Sequence, residues 1–143
     1  MAIKRRKIFI GLVLLAILGQ LIPLSRSNPP VTSRIEAPQE LQDILSRSCF
    51  DCHSNETTWP WYNWVAPVSW LVVFDVHEGR GHLNFSTWGE YPKEKQEKLR
   101  KEIWKTVDEG EMSPFQYLPA HPNARLSEKT RAVILEWTSA RPG

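Results

Sequence analysis

Between Ile8 and Ile22 the chain carries no charge and is mostly apolar, behind the cluster Lys4, Arg5, Arg6 and Lys7 and ahead of Pro23. A cationic head followed by an apolar segment is the pattern of an export signal or membrane anchor. The run is short for a full span, and no convincing small-x-small cleavage position stands near Leu24 to Ser27, which favours an uncleaved anchor. The segment from Ser25 to Gln39 is polar and carries three prolines, as expected of an extended, flexible tether. The pattern thus divides the chain into an N-terminal membrane helix over 1–24, a tether over 25–37 and a folded domain over 38–143.

Within the domain the apolar spacing is helical. Leu41, Ile44, Leu45 and Cys49 share one helix face, and Pro38 precedes them where a missing N–H costs nothing. The apolar segment from Val65 to Gly79 is too long for an ordinary strand and predicts a helix after Pro67. Pro92 opens a charged amphipathic helix that buries Leu99, Ile103 and Val107 and stops at Gly110. Ser127 caps a last helix with Val133, Ile134 and Trp137 on its inner face. The fold class expected is all-α, a single domain for 143 residues.

Charge removes one class of partner. There are 18 Lys and Arg against 16 Asp and Glu, and with the four cations of the N-terminal cluster set aside the body is net −2. No basic stripe of the kind phosphate binding requires is left, so nucleic acid is not an expected partner.

The chemistry lies in Cys49-Phe50-Asp51-Cys52-His53, which holds both cysteines of the chain. C-x-x-C-H is the pattern of covalent c-type haem attachment. Thiols three apart on one helical turn can each bond one haem vinyl group, and the adjacent imidazole can bind the iron as proximal ligand. A thioredoxin-like pair would follow a strand, a zinc site would need further ligands, and a disulfide within one turn would be strained. One haem c, with its iron, is therefore the expected cofactor. Trp59, Trp61, Tyr62, Trp64 and Trp70 follow closely, and as a cluster they are candidates for covering its flat apolar faces.

Met112, the only methionine besides Met1, lies in a loop between the last two helices. Its thioether is the candidate distal ligand, and the alternative is plain packing under the loop. His77, His82 and His121 are rival ligands; Arg80 and Arg125 are candidate propionate partners, with solvated surface arginines as the alternative.

The order helix, C-x-x-C-H, helices, methionine loop, helix resembles class I cytochrome c. More closely, about Glu36 to Ala140 resembles the bacterial haem-binding domain family with one C-x-x-C-H. The resemblance rests on "SCFDCHSNETTWPWY", "VAPVSWLV", "GRGHLNFSTW" and "EMSPFQYLPAHPNARLS". It implies a cytochrome c-like helical fold, haem bonded to Cys49 and Cys52, His53 as proximal ligand and Met112 as distal ligand. Relatives often carry proline directly after this methionine, whereas here Ser113 intervenes before Pro114.

These expectations describe a periplasmic electron carrier held at the inner membrane, exchanging single electrons with periplasmic or membrane redox proteins, and not an enzyme. The alternatives are a haem enzyme or sensor with an open distal site for peroxide or a diatomic gas, and a domain in which haem is structural.

Overall fold

The structure is a computed structural model that describes residues 2–140; Met1, at the start of the expected anchor, and 141–143, at the end of the expected domain, lie outside the described residues. Among the described residues all regular structure is helical and no strand forms. The α-helices are α1 (Ala2–Gln20), α2 (Gln39–Ser48), α3 (Phe50–His53), α4 (Val68–His82), α5 (Lys93–Asp108) and α6 (Glu128–Ser139). Short 3-10 turns occupy Trp61–Trp64, Phe85–Glu90 and Pro122–Ala124.

Each domain helix forms where the apolar spacing places it. α2 follows Pro38 and buries Leu41, Ile44 and Leu45. α6 is capped by Ser127, whose hydroxyl accepts from the Thr130 N–H at 3.3 Å. The end of α5 depends on Gly110, whose φ of 76° suits a residue without a Cβ. The N–H groups of Glu111 and Met112 then both donate back to the Thr106 carbonyl, at 2.9 and 3.2 Å. This reversal turns Met112 inward.

α2 packs on α3 and α6, α5 packs on α6, and α3 packs on α4. Ile44 and Leu45 of α2, Leu99 and Val107 of α5 and Ile134 of α6 form one core with Phe50, Leu83 and Phe85. An aromatic column extends it. Phe50 and Phe85 lie 5.6 Å apart, Phe85 and Trp88 6.0 Å, and Trp88 and Trp137 5.7 Å between ring centroids. The Arg100 guanidinium covers Trp137 at 4.0 Å and donates to its carbonyl at 2.7 Å.

The segment expected to be a flexible tether is instead a strap fixed along its length. Thr32 and Ser33 donate to the Ser86 carbonyl, Ile35 donates to Phe85, and Gly89 donates to Ser33. Asn28 donates to the Thr57 carbonyl, and Asn55 donates to that of Pro30. Ile35 is fully buried in the core, which is worth about 2 kcal/mol of hydrophobic stabilisation. The prolines make the strap extended; partners on the domain make it ordered.

The N-terminal expectation also needs correction. α1 forms, but no helix among the described residues is long and apolar enough to cross a membrane. Lys4 to Lys7 occupy its first turns, and the uncharged remainder of α1, residues 8–20, rises only about 20 Å against roughly 30 Å of bilayer hydrocarbon. Its apolar side chains, among them Phe9, Leu12 and Leu15, are exposed. At its C-terminal end α1 meets the domain: the Gln20 amide donates to the Trp64 carbonyl at 2.8 Å and accepts from the Ala66 N–H.

Candidate functional site

Cys49 ends α2 and begins α3, and its carbonyl accepts from the N–H groups of Cys52 and His53 at 3.2 and 2.8 Å. One turn of chain therefore carries both thiols and the imidazole. Both cysteines are free. Burial, with Cys52 alongside, pushes the Cys49 thiol up to about 12. Burial, with Asp51 and Asp75 nearby, pushes Cys52 up to about 11. Disulfide oxidoreductases need the opposite shift, because the thiolate is their nucleophile. These shifts favour the protonated thiols at neutral pH.

His53 is held by one edge only. Its Nδ1 lies 2.9 Å from the Gly79 carbonyl oxygen and 3.2 Å from that of Leu83. Carbonyls can only accept, so the proton sits on Nδ1 and Nε2 keeps its lone pair. Among the described residues no hydrogen-bond partner engages that Nε2. Burial outweighs the upward pull of these two hydrogen bonds and lowers the imidazole pKa, favouring the neutral ring that metal coordination requires. A ring donating one N–H to a backbone carbonyl while presenting the other nitrogen is the usual posture of a metal-bound histidine.

The acceptor carbonyls reach His53 because α4 lies almost against the α3 backbone. A Cβ on Gly79 would sit 2.5 Å from the Cys52 carbonyl oxygen, closer than any side chain allows. Beside this contact lie two adjoining hollows of about 350 and 460 Å³. Cys49, His53, His82 and Met112 border both, while Cys52, Phe74 and Tyr117 line the first and Leu83, Phe85 and Ile103 the second. Ser113 holds the Met112 loop there, its hydroxyl lying 3.3 Å from the Ser48 carbonyl and 3.0 Å from that of Ala124. The residue that departs from the usual proline thus ties the methionine loop to the end of α2.

The structure therefore gathers Cys49, Cys52, His53 and Met112, with His82 beside them. It does not gather the remaining candidates with them. Trp59 and Trp61 border neither hollow. Trp61 is 79% exposed, and Trp59 lies beside Arg80, 6.0 Å from its guanidinium. Arg80, expected at a propionate, spends its donors on protein: Ser54 and Ser27 carbonyls, Asn28 Oδ1 and Thr57 Oγ1, at 2.7–2.8 Å. It clamps the strap to the domain. Arg125 is exposed. His77 donates to the Ser25 carbonyl at 3.3 Å, away from both hollows.

His121 joins a polar aromatic cluster behind the cysteine turn. Its Nε2 lies 2.8 Å from the Tyr62 hydroxyl, and its ring stacks on Tyr117 at 4.0 Å. Tyr117 donates to Asp51 Oδ2 at 2.6 Å, and Asp51 Oδ1 accepts from the Thr58 N–H at 2.9 Å. Burial, then the bond to Asp51, raises the Tyr117 pKa and keeps the hydroxyl a donor. Asp51, one of the two unspecified positions inside C-x-x-C-H, is thereby fixed from both sides. Sequence reasoning missed Gly79, Phe74, Phe85 and Tyr117. Tyr117 stands four residues before His121 in the segment quoted for the resemblance, and that spacing is its only signal.

A haem fits these residues: two neutral thiols, an imidazole with a free Nε2, a thioether and largely apolar walls. The buried Ser48 hydroxyl, which borders both hollows, has no hydrogen-bond partner, leaving a polar group for the cofactor side. An all-helical shell around such a donor set defines a haem protein by its chemistry. Residues 13–140 match the family model described as a haem-binding domain, and the chain belongs to that family. No curated protein and no solved structure matches it.

Proposed function

We propose that this haem-binding protein is a monohaem c-type electron carrier with a cytochrome c-like fold, exported to the periplasmic side of the inner membrane. Cys49 and Cys52 hold the haem as thioethers, His53 is the proximal ligand and Met112 the distal one. The observation that carries the reading is the His53 ring, aimed by two backbone carbonyls so that its free Nε2 stands beside the cysteine pair. The packing of α2 on α6 supports the cytochrome c-like arrangement.

Bound haem would supply a one-electron couple at iron, and retention of His53 and Met112 as ligands in both oxidation states would keep rearrangement small. The chain tethers it, fixes the imidazole tautomer and keeps water from the apolar wall around Leu83 and Phe85. No residue is asked to act as acid or base. The apolar part of α1 associates with the acyl chains at the bilayer surface, and its cations stay among the headgroups. The electron partners are periplasmic or membrane redox proteins.

A second reading rests on His82, which borders both hollows on an exposed side chain. It would serve an open distal site for peroxide or a diatomic gas. Visible spectra of the haem-loaded protein and of Met112→Ala decide between them. A weak far-red band in the oxidised parent that the variant lacks supports methionine ligation and electron transfer. A high-spin parent that binds carbon monoxide at once, with a spectrum indifferent to Met112, overturns the reading in favour of the open site.

A further inference from the structure

The outer face of α4 is apolar where a soluble surface would be polar. Val68, Trp70, Leu71 and Phe74 are all exposed, and their three- and four-residue spacings put them on one stripe. The adjoining 3-10 turn adds Trp61 and Trp64, also exposed. Soluble monomers rarely leave contiguous aromatic surface of this kind uncovered.

α1 ends on this patch. A Cβ on Gly19 would lie 3.0 Å from the Trp70 ring, so the glycine lets the tryptophan pack against the helix end. Gln20 is bonded to the backbone of Trp64 and Ala66 on both sides of its amide. Arg26, just beyond, donates to the Asn63 carbonyl at 2.9 Å and lies 4.4 Å above the Trp64 ring. The apolar surface of α1 and the patch are therefore continuous. With residues 8–18 among acyl chains, Gln20 comes level with the headgroups, and the groups it holds come level with it. Tryptophan with a neighbouring arginine is the composition of that interfacial layer.

We propose that the stripe Val68, Trp70, Leu71, Phe74, with Trp61 and Trp64, lies on the lipid headgroup layer and fixes the orientation of the domain on the membrane. The inference rests on the membrane association of α1 set out under Proposed function and adds a second contact to it. Phe74 also lines the first hollow, so the docked domain presents the mouth of the haem site beside the bilayer surface.

The test is photocrosslinking of the haem-loaded full chain, reconstituted in phosphatidylcholine and phosphatidylglycerol vesicles that carry a diazirine on the phospholipid near the headgroup, with adducts mapped by mass spectrometry. Adducts in α1 and in the segment spanning 61–74 are expected, and Trp61→Ser with Trp64→Ser should reduce the second set several-fold and leave the first unchanged. Adducts confined to α1 overturn the docking surface and leave the anchor standing. Adducts in neither segment overturn the anchor and the docking surface together. Protection of 61–74 by an added periplasmic extract without lipid adducts there overturns the lipid in favour of a protein partner.

Discussion

Replacing Gly79 with alanine puts a methyl carbon 2.5 Å from the Cys52 carbonyl oxygen, 3.1 Å from its carbonyl carbon and 3.2 Å from its Cβ. Two of these atoms are backbone of the turn that carries both thiols, so no flexible side chain can swing aside. Overpacking of a rigid site costs about 3 kcal/mol at the upper end of its usual range. Alanine in a helix interior returns about 1 kcal/mol over glycine. The net expectation is a loss of about 2 kcal/mol, which at a urea slope of about 2 kcal/mol/M moves the unfolding midpoint down by about 1 M. The same helix contains its control. A Cβ on Gly81 would have nothing within 4 Å, so Gly81→Ala should be neutral or gain up to about 0.5 kcal/mol near the helix end. Urea titrations of the three haem-loaded proteins, followed by far-UV circular dichroism, give the comparison. Gly79→Ala unfolding at or above the parent midpoint would refute the close approach of α4 to α3.

Arg80→Lys keeps the charge but loses the planar fork that reaches Ser27, Asn28, Ser54 and Thr57; it should cost about 2 kcal/mol and expose 25–30 to limited proteolysis, and an unchanged cleavage pattern would show that the strap is held without it. Asp75 has a pKa raised by burial, so its protonated form favours the fold: the contribution is full below the ordinary value of 3.8 and is lost as pH rises through the raised value. Asp75→Asn should therefore melt slightly higher than the parent at pH 7, and the difference should vanish at acid pH; a difference independent of pH would contradict the shift.

What the sequence discloses about this fold is the part governed by spacing. The face of α2 follows from Leu41, Ile44 and Leu45, and the start of α6 from a serine with a hydroxyl to offer. The C-x-x-C-H spacing is equally legible, and the structure sets both thiols and the imidazole on one turn of chain. Partners supplied by the main chain leave no such trace. The acceptors of His53 are the carbonyls of Gly79 and Leu83, and any residue type carries a carbonyl. Two of the groups that hold Arg80 are carbonyls as well, so its role as a clamp and not a propionate partner was invisible. Aromatic composition marks rings that seek cover without saying which cover: Pro60 and the turn after it send Trp61 outward, while Phe85, which attracts no notice in the sequence, lines the hollow. The strap looked free for a related reason, since prolines report stiffness and say nothing of neighbours.

The grip of α4 on the imidazole joins mechanics to electronics. The carbonyls at the end of a helix carry its negative pole, and the Nδ1–H of His53 leans on two of them. On the ligation proposed above, a tight grip would make the ring a stronger donor to iron and stabilise the oxidised state, and a loosened grip would do the reverse. The fifteen residues of α4 would then act as a tuning rod for that potential.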